Sequence, residues 1–399
     1  MTQTLLTPSI ISKETLVMLE NNLVAAGKVN RRFENQFVKI GTTLTVRKPN
    51  RFKISSGPAL SIQNMVEPST SITVSNQKHV DFEFNSQELS LVVEEFSERY
   101  LKPAASELAN QLDYDVLSNF TSVNNLVGTA GVTPSTFLNA MVPLGQRMDE
   151  LGMPQDGRCL ILNPAAYWTL ANGLSGLFVR SVAEPALKGY LANIASFDIY
   201  EDQNIQTQTV GAYAGSGVVS GASQTGSSLT TTGWTASITG LLNVGDVITI
   251  GSGTTGCFAV NPKNRATTGS VANFVVTSTV NSDANGNATI PIYPAITTSG
   301  AYQTVVASPV NGAAINVLTG AASSSHANNV AMTKDTFGLV TVPLELPEGV
   351  DFKARVEYKG ISLRVIRAYD VQNDVMPCRT DILYGTTGYY PETGCRLTN

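Results

Sequence analysis

One glycine-rich loop, two histidines, four cysteines and a few clustered charges are the groups in this 399-residue sequence whose types and spacing could do chemistry. Gly251-Ser252-Gly253-Thr254-Thr255-Gly256 has the spacing of a dinucleotide fingerprint and follows the β-type run 247–250. Such a loop grips a pyrophosphate only where a helix begins at it and offers its first amides. Here Cys257-Phe258-Ala259-Val260 continues as a strand-like run to Pro262, so the loop reads as a glycine-rich β turn and no cofactor is expected. His79 lies in an alternating run and His326 in a Ser/Ala/Asn stretch that reads as a linker. Neither has Cys, His or carboxylate neighbours at metal-ligand spacing, so no metal is expected. Glu94, Glu95 and Glu98 resemble an acid pair, but Glu95 and Arg99 stand at i,i+4, the spacing of a supporting salt bridge on a helix face. The chain holds neither Gly-x-Ser-x-Gly nor Gly-x₄-Gly-Lys-Ser/Thr. Its wiring is not that of an enzyme.

The remaining charges point to surfaces. Lys28, Arg31 and Arg32, with Arg47 and Lys48 further on, are basic clusters in a chain of net charge −5. A chain of that sign does not bind nucleic acid through a general basic field, so these five are candidates for contact with another subunit. Only 14% of the residues are charged, where about a quarter is usual. Interface cores are depleted in charge, so extensive burial against further copies would account for part of the shortfall. The four cysteines (Cys159, Cys257, Cys378, Cys395) stand far apart, too few for a disulfide scaffold, and a reducing compartment is expected. No apolar run reaches the roughly 18 residues that span a bilayer, and the N-terminus lacks the basic and apolar regions of a secretory signal.

The elements that must carry these residues fall into two kinds. Between residues 206 and 333 only Asp246, Lys263, Arg265 and Asp283 are charged, and short β-type runs such as 244–250 and 272–280 alternate with Ser, Thr, Gly and Asn. This stretch reads as a β module inserted into a host that closes its own core from residues 1–205 and 334–399. In the host, 8–27 reads as an amphipathic helix with Pro8 in its first turn and a stripe of Ile11, Leu16, Leu19 and Leu23. Residues 41–77 show little apolar alternation, which predicts a long segment packed on another subunit or mobile. Residues 79–84 alternate as a strand, and Asn85 with Glu88 has the pattern of a capping box. Phe96, Tyr100, Ala104, Leu108, Leu112, Val116 and Phe120 recur every four residues as one helical stripe, kinked or restarted at Pro103. From Pro103 to Phe120 that helix would run about 27 Å. A helix opening at Thr133-Pro134, a buried strand 159–162, a helix capped by Asn163 and a strand 197–200 complete the first part. Strands are expected at 337–346, 354–358, 362–368 and 379–384. The host is α+β, with helices early and strands late.

Six strings resemble one family in the right order: Leu19-Glu20-Asn21-Asn22-Leu23 with the run to Arg31-Arg32-Phe33, Ile40 to Pro49, Glu98 to Asp113, Leu160-Ile161-Leu162-Asn163-Pro164-Ala165-Ala166, Phe337 to Pro343, and Cys378 to Gly385. They are similar to major capsid (coat) proteins of short-tailed double-stranded DNA phages, in the branch with an inserted β domain. The resemblance implies the tailed-phage major capsid fold: an N-terminal arm (1–35), an extended loop (36–78), a peripheral domain with a spine helix (79–130), an axial domain with the remaining peripheral strands (131–205 and 335–399) and an all-β barrel-like insertion (206–334). Two departures stand out. The insertion has too few charges for the ionic loop that bridges subunits in related coats, and Ser196 stands where a glycine before Phe197 is expected.

The function this resemblance implies is a structural, non-enzymatic one. Copies self-assemble as hexamers and pentamers into an icosahedral virion shell around phage DNA, without sequence-specific contact to it. Expected partners are a scaffolding protein, since no long helical segment precedes residue 8, a portal protein and a cement or decoration protein. Assembly is expected in the host bacterial cytoplasm with no membrane, and the arm and loop are the parts expected to move between precursor and mature shells. The alternative is an extracellular adhesin or tail-fibre-type β binding module. That reading calls for a secretion signal or tandem β repeats, and the sequence has neither.

Overall fold

The computed structural model describes residues 8–32, 43–58, 60, 62–63, 67–85, 102–133, 137–174, 190–194, 196–350, 352–358, 361–373 and 375–399. The chain divides into two compact units: Met1–Arg47, Ser69–Val116 and Phe337–Thr387 form one, and Lys48–Pro68, Leu117–Thr336 and Gly388–Asn399 the other.

In the first unit, an antiparallel sheet is ordered Phe337–Thr341, Val375–Gly388, Ile361–Arg367, Phe352–Tyr358, and Asn76–Asn85 also pairs along Val375–Gly388. The helix Pro8–Asn22 packs on Phe352–Tyr358 and Ile361–Arg367. Its Leu16 and Leu19 are fully buried there, whereas Leu23 lies past its end. The helix therefore stops at Asn22, before the expected Gly27, because the backbone amides of Val24 and Ala26 turn away from the helix ladder. They donate instead to the Asp113 carboxylate at 2.8 and 2.6 Å. Asp113 belongs to the helix Lys102–Leu117, in which Pro103 occupies the first turn and Ala104, Leu108, Leu112 and Val116 are all buried. The last member of the four-residue stripe, Phe120, is buried in the 3₁₀ turn Ser118–Ser122, which belongs to the second unit. Phe96, Tyr100 and Glu88 lie outside the described residues, and Asn85 is the last residue of the strand Asn76–Asn85. Residues 41–77 are less bare than expected: Thr43–Arg47 and Ser69–Thr73 pair as an antiparallel ribbon that buries Val46 and Ile72.

The second unit holds, besides the two-stranded pair Phe258–Val260 with Thr267–Val271, two large sheets. One has seven strands, ordered Leu126–Val127, Cys395–Thr398, Ser325–Met332, Arg158–Leu162, Phe197–Glu201, Tyr190–Ile194, with Thr207–Thr209 also paired to Ser325–Met332. Phe137–Glu150 and Pro164–Leu174 cover it, and Met141, Leu144, Met148, Leu160, Tyr167, Phe197 and Leu397 share its core. The Asn163 side chain caps the second of these helices, accepting the Ala166 amide at 3.0 Å. At Ser196 the backbone has φ 71°, the left-handed conformation in which glycine is easiest, so the expected glycine conformation is present in a serine. The other sheet is the insertion. Its order is Ile315–Val317, Val247–Ile250, Asn273–Val276, Ala288–Ile296, Gly226–Trp234, Gly215–Val219. The two edge strands nearly close it into a barrel, since the Val219 amide donates to Ala313 O at 2.9 Å and Val218 bridges Ala314. Leu229, Trp234, Leu242, Ile248, Ile250, Phe274, Ile290 and Val305 fill its interior.

Candidate assembly surfaces and the charges behind them

The five basic residues singled out in the sequence have different surroundings. Lys28 and Arg32 are exposed on the turn after the first helix. Arg31 folds back, its Nε and Nη2 donating to Ala26 O at 3.0 and 2.5 Å, so it closes that turn. Arg47 is exposed at the end of the two-stranded ribbon. Lys48, in the other unit, is half-buried with its ammonium 4.7 Å from the centroid of the Tyr390 ring. Burial pulls its pKa down, while the nearby Glu392 pulls it back up.

A surface signal that the sequence reading passed over lies just beyond Lys48. Phe52 (65% exposed), Ile54 (94%), Leu60 (87%) and Ile62 (83%) all stand in solvent on the segment 48–68. Scattered single exposed apolar side chains are ordinary, but four large ones within eleven positions are not. The alternation needed to bury them in this subunit is absent from the sequence, which is why residues 41–77 are expected to pack on another subunit or to be mobile; the sequence reading does not single out these four side chains.

The chemistry weighed in the sequence is placed as follows. Gly251 and Gly253 have φ 67° and 52°, and a Cβ on Gly251 would lie 2.1 Å from Thr255 O. The loop then makes a single 3₁₀ turn, Gly253–Thr255, and enters the strand Phe258–Val260, with no helix at its end. His79 is an exposed strand residue with Nδ1 2.8 Å from Asp81 Oδ2. His326 stands in the strand Ser325–Met332 where a linker was expected, its Nε2 2.7 Å from Ser324 Oγ. Burial pushes the thiols of Cys257 and Cys378 up to about 11 and that of Cys395 to about 12, so at neutral pH they stay protonated and poorly nucleophilic. Among the described residues no group of three or more His, Cys, Asp or Glu is placed to hold a metal ion. No helix among them is long and apolar enough to cross a membrane.

The buried charges serve the joints between segments. In the first unit Asp381 is fully buried and takes Arg364 in a bidentate pair (Nε 2.9 Å, Nη2 2.5 Å), Arg379 Nε at 3.1 Å and Gln77 Nε2 at 3.0 Å. This ties three strands of the sheet. In the second unit Asp246, one of only four charges between residues 206 and 333, is fully buried. It accepts the amides of Gly211 (3.0 Å) and Asn243 (2.8 Å), Gln208 Nε2 (3.2 Å) and Thr319 Oγ1 (3.3 Å). Burial raises its pKa and those bonds hold it back. Facing the same seam is Arg396 of the last strand, also fully buried. Cys395 and Leu397 point into the host core, so alternation sends Arg396 to the opposite face, 5.6 Å from the Phe120 ring. Its Nε, Nη1 and Nη2 have no hydrogen-bond partner among the described residues. Burial lowers its pKa to about 9, and attraction from Asp246 opposes the fall. Leu126 of the host packs with Val247 and Val275 of the barrel in the same seam.

Known proteins supply the last observation. A family model described as "P22 coat protein - gene protein 5" matches residues 4–399. No curated protein matches the chain. Solved structures similar to it include a chain of Mycobacterium phage Che8 (12% identity, 94% of this chain and 90% of that one, TM-score 0.48). Others are the capsid of Ralstonia phage GP4 (7%, 93% and 86%, 0.45) and a virus-like particle from Pyrococcus furiosus (10%, 97% and 97%, 0.42).

Proposed function

The chain belongs to the P22 coat protein family: it is a structural protein of the phage capsid shell, and from that premise we propose how its parts divide the work of assembly. The shell closes as an icosahedron of hexamers and pentamers around double-stranded DNA. The subunit contributes surfaces and no catalysis. Residues 1–35 serve as the N-terminal arm, 36–78 as the extended loop, 79–130 as the peripheral domain, 131–205 with 335–399 as the axial domain and remaining strands, and 206–334 as the inserted domain.

The observation that carries this reading is the segment 48–68. It is held at its neck by Lys48 N donating to Pro68 O at 2.7 Å, while Phe52, Ile54, Leu60 and Ile62 remain in water. Covering four such side chains contributes roughly 1.5–3 kcal/mol apiece, and a neighbouring copy of the chain is the occupant that a repeating shell always provides. Lys28, Arg32 and Arg47 add exposed positive charge for contacts to an otherwise acidic neighbour. A net charge of −5 per copy weakly repels packaged phosphate and leaves the genome free to exit. Scaffolding, portal and cement proteins are the further partners, and assembly takes place in the host bacterial cytoplasm.

The decisive experiment is particle mass. The chain, expressed with the neighbouring phage genes, is expected to give closed shells of megadalton mass by light scattering and negative-stain microscopy. A monodisperse monomer or trimer under those conditions would overturn the reading.

A further inference from the structure

Three stretches far apart in sequence meet at Glu392, in the single 3₁₀ turn Pro391–Thr393. Its Oε1 accepts a charge-assisted bond from Arg51 Nη2 at 2.9 Å, and its Oε2 accepts the Tyr293 hydroxyl. The Arg51 amide donates to the Tyr302 hydroxyl at 3.2 Å, and its guanidinium lies 6.0 Å from that ring's centroid. Beside them Lys48 stands over Tyr390. Tyr293 and Tyr302 belong to the barrel, Tyr390 and Glu392 to the C-terminal turn, and Lys48 and Arg51 to the start of segment 48–68. Burial, with the Glu392 charge beside it, pushes the Tyr293 hydroxyl far up, so it remains a donor across the neutral range.

We propose that Glu392 is a positioning residue for shell assembly: it fixes the exit of segment 48–68 against the barrel, so that the folded insertion sets where Phe52, Ile54, Leu60 and Ile62 are presented to a neighbouring copy. The inference rests on the reading of that segment as a subunit contact. Two features separate positioning from bulk stability. The Arg51 and Glu392 side chains are 38% and 29% exposed, and exposed pairs add little to folding. The geometry is nonetheless specific, with each carboxylate oxygen taken by a different chain segment and both bonds charge-assisted. A hub of this kind directs a segment more than it holds a core together.

Glu392→Gln and Tyr293→Phe in the full chain test it, with Ile54→Asp and Leu60→Asp as probes of the segment itself. For the first two variants the melting temperature of the free subunit is expected to stay within about 3 °C of the parent. Limited proteolysis within 48–68 is expected to speed up about tenfold, the equivalent of one charge-assisted hydrogen bond at about 1.4 kcal/mol per decade. The yield of regular closed shells is expected to fall by a similar factor. Ile54→Asp and Leu60→Asp are expected to block shells without changing the melt. If those two assemble normally, the segment is no contact and both readings fall. If they block assembly while Glu392→Gln and Tyr293→Phe cleave and assemble like the parent, only the role of Glu392 falls. Faster cleavage with normal shells, or a melt lowered throughout the chain, also overturns it, the latter marking Glu392 as a general stability residue.

Discussion

Arg396 and Asp246 carry opposite charges into the same seam of the second unit, each fully buried, and only the aspartate has a full set of hydrogen bonds. Truncating Arg396 leaves a cavity beside Phe120, at about 2–5 kcal/mol for a large buried side chain, whereas a hydrophobic replacement of similar volume for a buried charge is often neutral or stabilising. Arg396→Ala is therefore expected to lower subunit stability by several kcal/mol in urea melts. Arg396→Met, which refills the space beside Phe120, should recover most of that loss. Equal damage from both would show that the guanidinium makes bonds essential to the fold. A second prediction concerns pH. Asp246 has its folded pKa raised above 3.8 by burial, so between 3.8 and the raised value the folded subunit binds a proton that the unfolded chain has released. Stability must then fall as pH rises through that window. Asp283 and Asp370, held low by hydrogen bonds to neighbouring Asn and backbone amides, act in the opposite sense and only below 3.8. Asp202, also raised by burial, acts in the same sense as Asp246, so Asp246→Asn should reduce the slope of the melting-point profile above pH 3.8 without abolishing it and leave the lower part alone; an unchanged slope would dissociate Asp246 from it. Asp246 had a signal in the sequence, a lone acid in the apolar run Val244-Gly245-Asp246-Val247-Ile248. Arg396 had none, because strand alternation in four residues at a chain end is too short to read.

The elements divide into those that local pattern specifies and those that need a distant partner. The Lys102–Leu117 helix was legible because its Ala104, Leu108, Leu112 and Val116 repeat with the helical period, and burial follows that stripe. Leu112→Asp is expected to abolish soluble subunit, since an unpaired buried carboxylate costs several kcal/mol; normal yield would show that this stripe is not core. The ribbon Thr43–Arg47 with Ser69–Thr73 escaped notice, as did the strand Cys395–Thr398, because each finds its register only against chain tens or hundreds of residues away. The insertion was legible as a whole from its missing charge, but its strand order was not. Its core is drawn from its own strands, and its ends leave side by side on the Thr207–Thr209 and Ser325–Met332 pair. Residues 206–334 expressed alone are accordingly expected to melt in one cooperative transition with strand-type circular dichroism. A broad, non-cooperative melt would show that the barrel depends on the Leu126 and Arg396 seam.

Passage of a whole shell from a precursor to a mature form requires parts of each subunit to move. The sequence put the arm and the loop together as movable pieces, since neither showed a core of its own. The structure treats them differently. Pro8–Asn22 buries Leu16 and Leu19 on its own sheet, and the chain after it is pinned by two short bonds to Asp113. Segment 48–68 keeps Phe52, Ile54, Leu60 and Ile62 outside and is tied near its base by Lys48, Arg51 and Glu392. Re-docking a tied helix means breaking buried contacts, whereas re-docking an exposed apolar segment exchanges one covering surface for another at little net cost. Hydrogen exchange on precursor and mature shells is thus expected to differ in 48–58 and 67–68, and to match across 12–22, where protection comes from within the subunit. Equal protection of 48–68 in both shells would make that segment a fixed tie between copies. A large change confined to the arm helix would mean that Asp113 and the buried leucines release it, and that the movable part of this coat is the one its own core holds.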